Sequence, residues 1–227
     1  MTGGRVDRSI QTVLLCGGSF DPPHKGHVHL PLLAARHIEQ RLDQPRGVWL
    51  VYVPAGRSPH KSAQPEATDA QRLAMLTLAT EHLPRCAVWT DEIDRAAAAP
   101  GRPSYTVDTV RRLRSWLDDH GGDEVRLRLL IGADQAAAFD RWREPEAIIA
   151  LAEPLVMARP GGTDGPSVFP ASLGDWSRRL LPIPTLDVSS TAVREAVHAG
   201  DAAVVKRSLD PRVADYIEGE GLYRAPA

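Results

Sequence analysis

Apolar strand-like runs alternate with helix-period segments along almost the whole chain, and this order limits the fold more than any other feature. The first run, Val13-Leu14-Leu15-Cys16, ends at Gly17-Gly18. A short apolar run bounded by glycine reads as a buried strand. From Gly26 to Leu42, residues Val28, Leu32, Ala35, Ile38 and Leu42 recur at helical spacing. Further strands are expected over 48–53, 86–90, 125–131, 155–158 and 180–183. Helices are expected over 68–80, 105–120, 145–151, 191–199 and 211–218. Thr68-Asp69-Ala70-Gln71 has the pattern of a capping box, and Gly200 is placed to stop a helix. The alternation predicts a doubly wound, mostly parallel sheet with helices on both faces and added C-terminal helices. Ligands bind such sheets outside the carboxyl ends of the strands, so functional residues should lie just after them.

At 227 residues the chain has room for one large domain or two small ones. No clear linker divides it, and a single domain over 12–225 is expected after a polar, flexible N-terminus over 1–11. The formal net charge is −2, with 27 basic and 29 acidic residues. That balance argues against a basic nucleic-acid coat and against an acidic disordered tail. No run approaches the roughly 18–20 apolar residues of a membrane span, and the N-terminus lacks a signal-peptide core. Cys16 and Cys86 are too few for a disulfide scaffold and sit in strand-like runs, where buried structural thiols are expected. A cytoplasmic protein follows, with no nucleic-acid or membrane partner. Ala96–Gly101 and the segment 159–172 read as loops.

The string Gly17-Gly18-Ser19-Phe20-Asp21-Pro22-Pro23-His24-Lys25-Gly26-His27 follows a strand and opens a helix. It matches neither the dinucleotide fingerprint nor a P-loop. Its chemistry still suits phosphate. Two glycines let the backbone approach a ligand, and free N–H groups at a helix start attract anions. His24 and His27 are three residues apart and can face the same way in the first turn. Two imidazoles there could donate to a triphosphate as charge develops. Zinc binding by His24, His27 and His29 is the alternative, but no second Cys/His cluster stands at zinc spacing, and no protein-held metal is expected.

Near the other end, Val188-Ser189-Ser190-Thr191-Ala192-Val193-Arg194 opens a helix. Ser190 or Thr191 can cap it, and Arg194 lies one turn on, so cap and guanidinium could share one anion. Alone, this is a common arrangement.

Together the two strings resemble the G-x-[ST]-F-D-P-x-H-x-G-H and I-S-S-T-x-x-R signatures of the nucleotidylyltransferase superfamily, with Val188 in place of isoleucine. The resemblance implies a Rossmann-like fold with an ATP site at Gly17, Gly18, Ser19, Phe20, His24, His27, Gly132, Asp134, Ser190, Thr191 and Arg194. His24, His27 and Arg194 would be catalytic. Four further segments are Pro54–Lys61, Arg72-Leu73-Ala74-Met75-Leu76, Pro103-Ser104-Tyr105-Thr106 and Leu130-Ile131-Gly132-Ala133-Asp134. Trp142 stands eight residues after the last of these, and the chain closes on Gly221-Leu222-Tyr223. Their order resembles the bacterial nicotinate mononucleotide adenylyltransferase family over about residues 13–223.

That resemblance implies adenylyl transfer from ATP to nicotinate mononucleotide, giving nicotinate adenine dinucleotide and pyrophosphate in NAD biosynthesis. It places His60, Lys61, Tyr105, Thr106 and Trp142 at the mononucleotide, with Trp142 stacking on the pyridine ring. Tyr105 and Thr106 would offer backbone N–H groups to the carboxylate. Mg²⁺ would arrive bound mainly through ATP phosphates. Arg95–Arg102 is longer than the family's turn, and a lid-like loop ordered by substrate is expected there. Asp21 is expected to organise its own loop. A sister transferase using nicotinamide mononucleotide or another phosphate, and a non-catalytic nucleotide sensor, stay open as alternatives. A homo-oligomer also stays open.

Overall fold

The computed structural model describes residues 7, 9–41, 47–57, 65–122, 124–158, 169–184 and 186–224. Six strands form one sheet: β1 (Ile10–Gly18), β2 (Gly47–Pro54), β3 (Cys86–Val88), β4 (Arg126–Gly132), β5 (Glu153–Ala158) and β6 (Leu180–Pro182). Their spatial order is β3-β2-β1-β4-β5-β6, and all neighbours are parallel. The chain winds outward from β1 to β3, then crosses to β4 and winds the other way. The direction reverses between β1 and β4, and a crevice opens at such a point beyond the strand ends.

Alternation along the central strands builds two cores. Val13 and Leu15 of β1 point to one face, with Val51, Val53, Leu127, Leu129 and Ile131. That face is covered by α4 (Thr106–Asp119), through Val107, Val110, Leu113 and Leu117, and by Ile148 of α6 (Pro145–Leu151). Leu14 and Cys16 point the other way and meet Ala34 and Ala35 of α1 (Lys25–Arg41) and Leu76 of α2 (Asp69–Thr80). A third cluster joins α1 and α2 to α7 (Ser190–Ala199), α8 (Ala202–Ser208) and α9 (Pro211–Gly219) through Val28, Met75, Val193, Leu209, Val213 and Ile217. The C-terminal helices are thus continuous with the core of one domain.

The capping box at Thr68 is present: its side chain accepts from the Gln71 N–H, and Gln71 accepts from the Thr68 N–H. Thr68→Ala removes one half of this pair and should cost about 1 kcal/mol of stability. Urea denaturation of the two proteins reads that difference, and an unchanged midpoint would contradict it.

Several expectations need correction. The first strand begins at Ile10, three residues before the expected start at Val13. The alanine run is not a loop, because Asp91–Ala98 forms a helix, α3. Read in isolation, four alanines beside Pro-Gly are too short to nucleate a helix. The helix instead starts upstream at Asp91, and its acidic first turn of Asp91, Glu92 and Asp94 suits the N-terminal dipole. The alanines are its last turn. Arg95 donates to Asp91 at 2.9 Å and to the Thr109 hydroxyl at 2.7 Å. The lid-like segment is therefore pinned to α4 over its first half, and only Ala99–Arg102 is turn. Two short helices were not foreseen: α5 (Ala133–Ala137) and α8. Cys16 is buried as expected, whereas Cys86 is only half-buried. Burial pushes both thiols up, Cys86 to about 11, so neither is a thiolate at neutral pH. Among the described residues no helix is long and apolar enough to cross a membrane.

Candidate active site

The loop after β1 is shaped by its buried members. Phe20 adopts a left-handed backbone (φ 50°), a conformation that costs a bulky residue about 1 kcal/mol or more. Burial offsets this cost, for its ring is only 2% exposed and packs edge-on against His27 at 5.0 Å and Tyr52 at 6.0 Å. The Phe20 ring is thus a packing group beneath the loop. A Cβ on Gly18 would come within 3.0 Å of that ring, so glycine there lets the loop fold over Phe20.

His24 and His27 open α1 and stack at 3.8 Å between ring centroids, 27° from parallel. The His24 backbone N–H donates to His27 Nδ1 at 3.1 Å. That bond fixes the tautomer: His27 Nδ1 is an acceptor, so its proton sits on Nε2. His24 is buried, its Nδ1 has no hydrogen-bond partner, and desolvation pulls its pKa down to about 4. It is neutral at pH 7.

Asp21 does more than order its own loop. Its carboxylate accepts from the Glu66 and Ala67 N–H groups (2.8 and 3.1 Å) and from the Tyr223 hydroxyl at 2.7 Å. The loop after β1, the entry to α2 and the turn at Tyr223 therefore meet on one carboxylate. Arg72, named above only within its helix, is 0% exposed and donates to the Ser19 carbonyl (2.6 Å), the Ala55 carbonyl (2.7 Å) and Asp69 (2.7 Å). It ties the loops after β1 and β2 together from below.

The second string clasps the first. Ser190 Oγ donates to the Pro22 carbonyl at 2.9 Å. Arg194 donates to the Asp21 carbonyl at 2.9 Å and to Glu66 at 2.6 Å. The cap of α7 is Ser189, which accepts from the Ala192 N–H, rather than Ser190 or Thr191. Ser190 is freed for the inter-loop contact, and Thr191 is exposed on the first turn. Two helix starts from opposite ends of the chain thus flank the loop over 19–24.

A cavity of about 570 Å³ opens at the reversal point. Its lining includes Gly17, Gly18 and Ser19 together with Tyr105, Thr106, Trp142 and Asp134. Gly17 faces open space, so nothing in the protein itself excludes a side chain there. Tyr105 is the cap residue of α4 and uses no side-chain hydrogen bond, which leaves the first turn at Thr106 open. Trp142 stacks on Phe139 at 4.8 Å, which in turn meets buried Trp176 edge-on. The indole is therefore braced from the core. His24, His27, Phe20, Gly132, Ser190, Thr191 and Arg194 do not line this cavity, whose wall stops at Ser19. The candidate residues divide into an aromatic cavity and an adjoining ledge of helix starts. His60 and Lys61 lie outside the described residues.

Glu92 and Arg143 also line the cavity and were not singled out from sequence. Glu92 accepts from the Thr109 hydroxyl at 2.7 Å and from the Gly56 N–H at 3.4 Å, and burial raises its pKa. A Cβ on Gly56 would lie 2.3 Å from the Glu92 carbonyl, so glycine is required for this close approach. No spacing rule marks a carboxyl that works through contacts with two other elements.

A parallel sheet in this order, with a glycine loop entering a helix at the reversal point, defines a class, and residues 15–196 match the family model described as cytidylyltransferase-like. Among curated relatives, the "Probable nicotinate-nucleotide adenylyltransferase" of Stenotrophomonas maltophilia is 37% identical, covering 92% of this chain and 96% of that one. The protein of the same name from Chromobacterium violaceum is 38% identical over the same shares. The chain belongs to the cytidylyltransferase-like family, in its nicotinate-nucleotide adenylyltransferase branch. A solved structure of the Plasmodium falciparum nicotinic acid mononucleotide adenylyltransferase complexed with NaAD shares the fold. Its TM-score is 0.64 at 17% identity, covering 94% of this chain and 97% of that one.

Proposed function

We propose that this chain transfers the adenylyl group of ATP to nicotinate mononucleotide, releasing pyrophosphate and forming nicotinate adenine dinucleotide. The observation that carries this reading is the single cavity that joins the Gly17–Ser19 loop to the Tyr105, Thr106 and Trp142 wall. A glycine loop and aromatic side chains lining one cavity suit a reaction between two nucleotides. The family membership supports the same chemistry.

The 5′-phosphate oxygen of the mononucleotide attacks the α-phosphorus of ATP, a new P–O bond forms, and the bond to the β-phosphate breaks in line. The nucleophile is already an anion, so no general base is needed. Catalysis is then a matter of positioning and charge stabilisation. His27 offers its Nε2–H, and neutral His24 its single ring N–H. Arg194 is held by Asp21 and Glu66 through two of its five donors, which leaves the rest of the fork for phosphate. Ser190 and Thr191 stand at the start of α7, where backbone N–H groups favour the β- and γ-phosphates. Gly132 and Asp134, at the end of β4, suit a ribose hydroxyl. Mg²⁺ would enter with ATP and neutralise triphosphate charge. Among the described residues no group of three or more His, Cys, Asp or Glu could cage a metal, and a cation that keeps its waters and phosphates needs none.

The test follows pyrophosphate release from ATP with nicotinate mononucleotide or nicotinamide mononucleotide as acceptor. A higher kcat/KM with the acid is expected. Faster turnover of the amide, or ATP binding without pyrophosphate, would overturn the reading.

A further inference from the structure

Arg141 and Arg143 flank Trp142 in the chain, and all three line the cavity. The mechanism above uses neither arginine. The Arg143 guanidinium carbon lies 4.7 Å from the centroid of the Tyr105 ring. Tyr105 caps α4, so this cation sits at the start of a helix whose first residues, Tyr105 and Thr106, line the cavity. Stacking on an aromatic face holds the planar fork in place and lowers the entropy cost of using it. Glu144 is next in sequence, but its short contact is with Arg111 at 2.6 Å, against 3.7 Å to Arg143 Nε. Among the described residues, the terminal nitrogens of Arg143 and the side chain of Arg141 have no ion-pair or hydrogen-bond partner.

Two acidic side chains, Glu92 and Asp134, also line the cavity. Glu92 is occupied by Thr109 and Gly56. Asp134 stands at the first turn of α5, beside the end of β4. Arg141, Arg143 and the start of α4 thus bring positive charge to the cavity.

We infer that Arg143 is a specificity-determining residue: braced on Tyr105, its guanidinium pairs with the carboxylate of a pyridine ring stacked on Trp142 and rejects the carboxamide. Arg141 adds to the same field. This rests on the reading of the function given above. A carboxylate accepts two N–H bonds from a guanidinium in one plane, whereas a carboxamide turns an NH₂ donor toward donors. A site built of donors thus discriminates against the amide by what it leaves unpaired.

The experiment measures binding of nicotinate mononucleotide and nicotinamide mononucleotide to the full chain by calorimetry, with α,β-methylene ATP present. The proteins are the wild type, Arg143→Ala and Arg143→Lys. The wild type should prefer the acid. Arg143→Ala should weaken acid binding by roughly 10- to 100-fold, the effect of losing one charge-assisted pair, and lower the acid-to-amide ratio by a similar factor. Arg143→Lys keeps the charge without the planar fork and should recover part of the ratio. An Arg143→Ala protein that keeps the wild-type ratio, whether both affinities fall alike or neither does, would overturn the inference while the function stands. A wild type with no preference for the acid would remove the function reading as well.

Discussion

His27→Ala is expected to lower kcat by about a hundredfold or more, with the protein still folded. The size follows from the role: removing one preorganised donor to developing transition-state charge costs about two to three orders of magnitude. The geometry explains why this imidazole is preorganised. The His24 N–H holds Nδ1, the Phe20 edge and the His24 ring fix the plane, and this tautomer carries its proton on Nε2. The fold depends little on the ring. Tyr52 Oη donates to the His27 backbone carbonyl at 3.0 Å, a bond that alanine keeps, and alanine favours the first turn of α1. His27→Gln can return a side-chain N–H near the position of Nε2 and should recover part of the rate. Single-turnover measurement at saturating ATP and mononucleotide reads the chemical step directly. Near-normal turnover in His27→Ala would remove this residue from the mechanism.

The histidine pair was legible in the sequence because its meaning is local. Three-residue spacing in a first helical turn is enough to stack the rings, and Gly17-Gly18 after an apolar run is enough to mark the strand end. The alternation of runs likewise predicts the parallel sheet, since a helix between two strands leaves room only for a crossover. The strand order is different. Nothing in the spacing of the runs says that β4 returns to the far side of β1, and the crevice exists because it does. The helix α3 was not legible for a related reason: its alanine run is too short to nucleate a helix by itself, and the residues that stabilise it, Asp91 with Arg95 and Arg112, pair partly across to α4. The packing of the Phe20 ring under its loop was not legible, because its partner Tyr52 comes from another strand. Asp21 and Arg72 act on carbonyls and amides far along the chain, and such partners have no signature in either segment.

Arg72→Leu is expected to destabilise the fold by about 3–5 kcal/mol, the cost of leaving buried partners of a charged group unpaired. The guanidinium is fully buried, and it satisfies the carbonyls of Ser19 and Ala55 in one plane. Leucine fills much of the volume, but the two carbonyls are left without donors in an apolar setting. Arg72→Lys should fare little better. One ammonium on a flexible stem cannot reach both carbonyls and Asp69 in the geometry of a planar fork. Chemical denaturation at pH 7 gives the stability loss, and the KM for ATP under native conditions gives the second half of the argument. Ser19 ends the wall of the cavity, and Ala55 lines it from the end of β2. Loosening both loops should raise the KM for ATP even where the protein stays folded, because the glycine backbone that approaches the phosphates hangs from the same bond. A stability loss with an unchanged KM would mean that the loops keep their positions without Arg72, and a Leu or Lys variant as stable as the wild type would show that the buried cation is dispensable.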